Sequence, residues 1–520
     1  MGTGIPYTYR TAALALAVIV LLLAPLPMVP LFDKDEGAFA EATREMVVSG
    51  NYLMTYLNGE PRYDKPLLTN WLQAASVHLF GLNEFAVRLP SALAALAWLV
   101  LVYRFTATRF DRTTAFFVAW MLLTALQITI MAKAAIADAL LNLCVTACMI
   151  ALWRYYADRD PRALYLAFTA AALGVLTKGP IAVLIPFGTA LTFAFFQKDW
   201  AWWRQGLGNW RAWGIFLGIA LPWPMLAYLD QGNALIYAWF VEQTLKRAAG
   251  PLEGHGGGML YYIPIVVAGL LPFTPLLIVV LRRFRHEWQT PLHRYLLLWF
   301  LVVFVLFSLM GTKLPHYIVY GYPPLLMLMA ARRNDIRRGY AIGLWPLLLV
   351  ILLLILPLLA PVIGPRLDDA FARDVVADAA VDFRWWYFAG LGAAALALMA
   401  ATLGRWHVER RLLVAGAALA MAVNYVIMPA AARVLQAPVQ EVAALAAEQD
   451  LDVVLYKFKM PSFLFYRGAL AEERLPRDGE IVLAKSEDFA DLEEKGLITG
   501  KDVIYYRNGI VMARVRSLLK

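Results

Sequence analysis

The run Phe32-Asp33-Lys34-Asp35-Glu36-Gly37-Ala38-Phe39-Ala40 places three carboxylates in four residues directly after a long apolar stretch. At a membrane edge such groups are costly unless they are solvated or put to use. One reading is a helix cap, with Asp33 or Asp35 accepting backbone N–H bonds at the start of a helix running through Ala40 to Val48. The other is chemistry: Asp35 or Glu36 acts as a general base, or orients an acceptor at the membrane surface. Asp138 lies at the mouth of another apolar run. It either pairs with nearby Lys133 or serves as a second active-site carboxylate.

Cations recur on what proves to be the same side. Glu60-Pro61-Arg62-Tyr63-Asp64-Lys65-Pro66 sets Arg62 and Lys65 between prolines, just before an amphipathic stretch over 67–80. Thr177-Lys178-Gly179-Pro180 is a tight turn with one cation, and it is no phosphate-binding P-loop, because the flanking elements are apolar and the glycine frame is absent. Lys246-Arg247 follows Trp239-Phe240 and Glu242 and precedes the glycine cluster around His255. Gly311-Thr312-Lys313-Leu314-Pro315-His316-Tyr317 closes a further loop. Lys65, Arg62, Lys178, Arg247 and Lys313, with His316 and Tyr317 beside them, suit a lipid phosphate or pyrophosphate, and the carboxylates would supply an acid or base nearby.

His78, His255 and His316 share this side with the carboxylates. A divalent metal, with His255 and Asp64 as candidate ligands, is one use for them, although no His-x-x-x-His spacing supports it. No resident cofactor is otherwise expected. Cys144 and Cys148 sit four apart in an apolar run and read as core residues rather than a disulfide or metal framework.

The elements that must carry these loops are membrane spans. Of 520 residues, 61% are hydrophobic and 16% charged, with mean hydropathy +0.60, against roughly 45–50% apolar and 25% charged in soluble proteins. Apolar runs predict about thirteen transmembrane helices over 11–32, 90–108, 113–132, 136–155, 162–176, 179–196, 211–229, 259–281, 294–311, 316–331, 340–363, 385–403 and 411–431. The first reads as an uncleaved anchor. The connectors 104–112, 154–162, 197–211, 282–294, 332–339 and 404–411 hold 20 Lys/Arg in 62 residues, whereas 33–89, 132–135, 177–180, 230–258, 311–316 and 365–384 hold 13 in 120. The positive-inside rule makes the first set cytoplasmic, so the chemical loops face outward. The formal charge of +9 is thus an orientation signal, and nucleic acid is not an expected partner. Mid-span positions are Leu, Ala, Val and Phe, with Asn142 and Asn424 as exceptions, which disfavours a pathway for a polar solute.

From about residue 435 the composition changes. A helix over 439–449, strands from Val453 to Lys457 and Glu480 to Ala484, a helix from Ser486 to Lys495 and a hairpin from Val503 to Val515 turning at Asn508-Gly509 predict a small extracytoplasmic α/β domain over 435–520, after a transmembrane domain over 1–434. Its 12 basic and 14 acidic residues are nearly balanced.

Asp35-Glu36 with Phe39-Ala40, Tyr63-Asp64-Lys65-Pro66-Leu67, Thr177-Lys178-Gly179-Pro180 and Lys313-Leu314-Pro315-His316-Tyr317 resemble the signature loops of integral-membrane glycosyltransferases that use polyprenyl-phosphate sugars. These are the GT-C type enzymes related to protein O-mannosyltransferases. Within them the chain is most similar, over essentially its whole length, to the bacterial aminoarabinose transferases of lipid A. Residue 39 is Phe where that loop often carries Tyr, and loop 230–258 varies in length among such proteins. The resemblance implies an all-α polytopic GT-C-like domain with amphipathic juxtamembrane helices in the first outer loop. It implies a monomer in the bacterial inner membrane whose active site faces the periplasm. There 4-amino-4-deoxy-L-arabinose would pass, with inversion, from undecaprenyl phosphate to lipid A phosphates, giving resistance to polymyxin and cationic peptides. In-line attack needs no Ser or Cys nucleophile, but the leaving lipid phosphate needs preplaced cations. A phosphate acceptor is already anionic at neutral pH, so Asp35 would orient it or hold the sugar's ammonium. With a hydroxyl acceptor, Asp35 would be the base. The alternatives are a relative with another sugar or a protein hydroxyl acceptor, and a lipid flippase or transporter.

Overall fold

The computed structural model describes residues 7–238 and 256–517. Helices occupy all thirteen predicted stretches, but not as thirteen straight spans. Among the described residues six helices are long and apolar enough to cross a membrane, or up to eight if two bent pairs are each one span. This is a multi-pass membrane protein.

Proline and local geometry explain the departures. The first helix runs Tyr7–Ala17 and continues as a wide turn over Val18–Leu23. It stops short of residue 32, because Pro25, Pro27 and Pro30 offer no backbone N–H. Stretch 113–132 splits at Ala125, whose extended backbone separates Arg112–Thr124 from Leu126–Met131. Trp210–Ala220 and Pro222–Gln231 meet at 42°, whereas Tyr262–Gly269 and Thr274–Arg282 fold back at 119°. Pro272 and Pro275 interrupt the hydrogen-bond ladder there, so 259–281 is a broken or re-entrant element and not one straight crossing.

Several polar atoms buried in the bundle are bonded internally, since lipid offers no alternative partner. Trp98 Nε1 donates to Thr146 Oγ1 at 2.8 Å, Trp299 Nε1 to the Tyr320 carbonyl at 3.0 Å, and the Tyr295 hydroxyl to the Met149 carbonyl at 2.7 Å. The mid-span amides Asn142 and Asn424 each donate back along their own helix, to Asp138 O and Ala420 O at 2.9 Å. By contrast, helix Ala341–Ile363 keeps most of its apolar surface turned outward, as a lipid-facing helix should.

The stretch 33–89 forms two helices, Asp35–Ser49 and Leu68–Phe80, joined through a tight two-strand turn at Asn58-Gly59. The C-terminal stretch contains helix Ala437–Glu448 and a four-stranded sheet in the order Val453–Leu455, Ile481–Lys485, Ile510–Ser517, Ile498–Arg507. Val453 pairs with Ile481 in parallel, and the other ladders are antiparallel. The Asn508-Gly509 hairpin forms as the sequence predicts, with both residues at positive φ (48° and 74°). Its outer strand starts earlier than expected, at Ile498, and the strand at Val453 ends at Leu455 rather than Lys457. Helices without a counterpart in the sequence reading include Ala370–Asp382 and Ser462–Arg467, and Trp200–Leu207 forms within a stretch read as a connector.

Helix Ala370–Asp382 seats the hairpin turn. Asp378 Oδ2 accepts the Asn508 N–H at 3.1 Å, and a Cβ on Gly509 would come within 2.8 Å of the Phe371 ring. Gly509→Val is therefore expected to cost about 1–3 kcal/mol, from the left-handed backbone alone plus the displaced ring. Thermal unfolding of the detergent-solubilised protein should show a lower Tm.

Candidate functional site

Glu36 and its neighbour Asp35 have opposite surroundings. Glu36 is buried, and every lone pair has a purpose. Its Oε1 accepts from Arg88 Nε at 2.9 Å and from the Ala135 N–H at 2.7 Å; its Oε2 accepts from Arg88 Nη2 at 2.7 Å and from the Phe32 N–H at 2.9 Å. Burial opposes ionisation, but the Arg88 guanidinium and these donors outweigh it and hold the carboxyl below the ordinary range. Arg88 spends its remaining N–H groups on the carbonyls of Leu26, Val29 and Pro30, at 2.7–2.9 Å. Glu36, predicted as a candidate catalytic carboxylate, thus ties three segments together and has no oxygen left over for a substrate. Asp35 is exposed at the first turn of its helix, and among the described residues its carboxylate has no side-chain partner.

The cap reading of Asp33 fails in an informative way. Helix Asp35–Ser49 has no side-chain cap. Asp33 turns to the C-terminal stretch, where Oδ1 accepts the Ser462 N–H at 2.9 Å and Oδ2 the Ser462 hydroxyl. Burial is the main cause that lifts its pKa to about 7; the Ser462 bonds oppose the rise and the Glu36 charge adds to it.

Arg62 and Lys65 converge, but on Asp64. Arg62 Nε lies 2.7 Å from Asp64 Oδ1, and Lys65 Nζ 3.2 Å from Oδ2. Burial would raise the Asp64 pKa, yet the two cations prevail and hold it well below the usual carboxylate range. The Arg62 guanidinium also stacks over the Phe39 ring, 4.7 Å from its centre, and Nη1 donates to the Ala38 carbonyl at 3.1 Å. That contact uses the ring face, so Phe serves at position 39 without a hydroxyl. As a metal ligand Asp64 is misplaced: its oxygens face two cations, and among the described residues no group of three or more His, Cys, Asp or Glu gathers to hold a metal ion. His78 sits elsewhere, bonded to the Tyr52 hydroxyl at 2.8 Å.

Asp138 pairs with Lys178, not with the expected Lys133. Lys178 Nζ reaches both carboxylate oxygens, at 2.7 and 2.8 Å, and the Tyr320 hydroxyl at 3.2 Å; Tyr320 in turn donates to Asp138. Lys178 also lies 5.1 Å from the centre of the Tyr317 ring, and His316 Nε2 lies 3.7 Å from Asp138 Oδ1. Lys133 is buried and donates to the Thr129 carbonyl. Lys313 is buried too, donating to the Met310 carbonyl at 2.5 Å. Arg247 and His255 lie outside the described residues.

A cavity partly open to solvent lies beside these groups. Asp33, Lys34, Asp35, Glu36, Lys133 and His316 contribute to its wall. Lys65 and Lys178 stand outside that wall, but His316 is within electrostatic reach of Asp138, Lys178, Asp35 and Lys65 together. The structure therefore assembles Asp35, Asp138, Lys178, His316, Tyr317 and the Arg62–Asp64–Lys65 cluster around one face. The sequence reading assigned no role to Arg88, Tyr320, Gln436 or Ser462. Arg88 entered it only as one of the outer basic residues, and the other three carried no signal.

Residues 64–228 match the family described as dolichyl-phosphate-mannose-protein mannosyltransferase. Similar proteins include the undecaprenyl phosphate-alpha-4-amino-4-deoxy-L-arabinose arabinosyl transferase of Shewanella sediminis, 30% identical over 324 residues, which are 60% of this chain and 57% of that protein. Its namesake from Proteus mirabilis is 30% identical over 333 residues, 63% of this chain and 60% of that protein. The aligned stretch thus spans less than two thirds of these relatives' own length. The crystal structure of ArnT from Cupriavidus metallidurans bound to undecaprenyl phosphate superposes with a TM-score of 0.81 at 20% identity, covering 98% of each chain. The oligosaccharyltransferase of Archaeoglobus fulgidus in its apo form gives 0.52 at 11% identity, covering 98% of this chain and 74% of that one. The chain has the fold of these solved structures, and several of the proteins similar to it in sequence are named as aminoarabinose transferases.

Two outcomes follow from the geometry. Glu36→Ala leaves Arg88 buried and uncompensated, so it should cost about 3–5 kcal/mol and lower folded yield and Tm, whereas Asp35→Asn should leave both unchanged. Because the folded-state pKa of Asp33 is raised from 3.8 to about 7, its contribution to stability is full below about pH 4 and is lost as pH rises through 7. The Tm of the wild type relative to Asp33→Asn should therefore fall between pH 4 and pH 8.

Proposed function

We propose that the protein is an inverting glycosyltransferase that moves 4-amino-4-deoxy-L-arabinose from undecaprenyl phosphate to lipid A phosphates, at the periplasmic face of the bacterial inner membrane. Polymyxin resistance would be the cellular consequence. The observation that carries this reading is the position of Asp35: exposed, unpaired among the described residues, and sharing one cavity wall with His316, which lies within reach of Lys65 and of the Asp138–Lys178 pair. The relatives' names and the ArnT fold support the sugar and the lipid carrier.

The chemistry is displacement at the sugar carbon. Negative charge builds on the departing lipid phosphate, and Lys65 with Arg62 supplies fixed positive charge where water is partly excluded. Lys178 is held by Asp138 and Tyr320 so that its ammonium keeps one position over the Tyr317 ring. Arg247 remains a phosphate contact in this scheme, and Lys313 becomes one only by giving up its bond to the Met310 carbonyl. Asp35 orients the acceptor phosphate or holds the sugar's ammonium. The scheme routes no step through a metal, because side-chain cations carry the phosphate charge, and one chain supplies every group it names. The family match over 64–228 favours one second reading, in which a protein hydroxyl is the acceptor and Asp35 takes its proton.

Purified protein given undecaprenyl-phosphate aminoarabinose and lipid A should yield lipid A carrying the sugar on its phosphates, read by mass spectrometry. Asp35→Asn and Lys65→Ala should each lower turnover at least about 100-fold with the fold retained. Near-normal turnover by Asp35→Asn would overturn the role given to Asp35, and transfer to peptide but not to lipid A would overturn the lipid A assignment.

A further inference from the structure

We infer that the C-terminal α/β stretch is a working part of the active site, and that Asp33 and Ser462 are positioning residues that set the place of Asp35. This rests on the proposed transferase reading.

Asp35 stands where local structure supplies little precision. Its helix begins without a side-chain cap, and Asp35 itself has no side-chain partner among the described residues. Glu36 is pinned from the bundle side by Arg88. From the other side the residues just before it are pinned by residues more than 400 positions away. Ser462 donates both its N–H and its hydroxyl to Asp33. With its amide oriented to suit its neighbours, Gln436 donates to the Leu31 carbonyl at 3.0 Å and to Asp33 Oδ2 at 3.3 Å. The Leu31 N–H donates to the Tyr466 hydroxyl at 2.8 Å, which donates onward to Glu84 Oε1 at 3.0 Å.

The fit leaves no slack. A Cβ on Gly37 would lie 2.1 Å from Asp33 Oδ1 and 2.6 Å from the Ser462 nitrogen, so only glycine lets helix Ser462–Arg467 seat on the loop. Two further anchors hold that helix down. Asn58 exchanges a reciprocal pair of bonds with Ala471, at 2.7 and 3.0 Å, and Arg44 Nη1 donates to the Gly468 carbonyl at 3.1 Å. Residues on both sides of Asp35 are thereby fixed, and the carboxylate between them inherits that placement. Misplacing a reacting group by about 1 Å costs on the order of 100-fold in rate. Asp33 needs no contact with substrate to act in this way. The ionisable groups around it are Lys34, Asp35 and Glu36 on its own segment, Arg88 and Lys133 across the cavity wall, and His316.

The full-length protein in lipid nanodiscs, assayed with undecaprenyl-phosphate sugar and lipid A, separates positioning from other roles. Asp33→Ala and Ser462→Ala should each lower kcat about tenfold to 100-fold with donor KM within twofold. The double variant should be no worse than the poorer single, since both break one contact. Asp33→Asn, which keeps the shape and an acceptor, should retain most of the turnover; a proton-transferring Asp33 would not. Additive losses, or a change confined to KM, would overturn the inference. Hydrogen exchange supplies an arm that does not depend on activity: amides of residues 34–38 should exchange faster in Ser462→Ala than in the wild type. If the wild type transfers no sugar, the transferase reading fails, and unchanged exchange in Ser462→Ala would separately overturn the clamp.

Discussion

The ion pair between Glu36 and Arg88 is the constraint around which the cavity end of the molecule is arranged. Neither group could stay charged in so dry a place without the other. Together they also satisfy the backbone where the first span unravels: three carbonyls of residues 26–30 on one side, and the N–H groups of Phe32 and Ala135 on the other. Prolines at 25, 27 and 30 stop the first helix early, and Pro30 leaves the Leu26 carbonyl without its helical donor, one of the three carbonyls that Arg88 collects. A helix end inside a membrane protein thereby becomes a fixed platform, and Asp35 projects from it.

On that platform the charged groups separate into two kinds. Glu36, Arg88, Lys133 and Lys313 are buried and committed to internal bonds. Asp35 is exposed on the cavity wall, and His316 on the same wall lies within electrostatic reach of Lys65 and of the Asp138–Lys178 pair. Residue type does not distinguish Asp35 from Glu36; burial and the number of donors around each oxygen do.

Much of this was legible in the sequence. Long apolar runs marked where helices lie, because lipid imposes that rule strongly. The hairpin at Asn508-Gly509 was legible for an equally local reason, since few residue pairs tolerate two positive φ angles. The loop motifs around Asp35, Lys65, Lys178 and His316 also assembled as read. Pairing was not legible. Asp138 lies nearer in sequence to Lys133 than to Lys178, and only the packing of neighbouring helices brings Lys178 to it. The straightness of spans was equally hidden, because hydropathy counts residues and is blind to a bend such as the 119° turn before Thr274. The Asp33–Ser462 contact joins positions 429 apart, a separation at which no spacing rule operates.

The Arg62–Asp64–Lys65 cluster carries one more implication. Two cations already neutralised by one internal anion present an incoming phosphate with a net charge of only +1. Under the proposed reading, donor binding is then an exchange of anions and not a capture by bare charge: the phosphate must displace part of what Asp64 supplies. Such a site holds its ligand by a difference of two strong interactions, which keeps the lipid phosphate exchangeable once the sugar has gone. A turnover enzyme that must release a product as anionic as its substrate is served better by that balance than by a tighter grip.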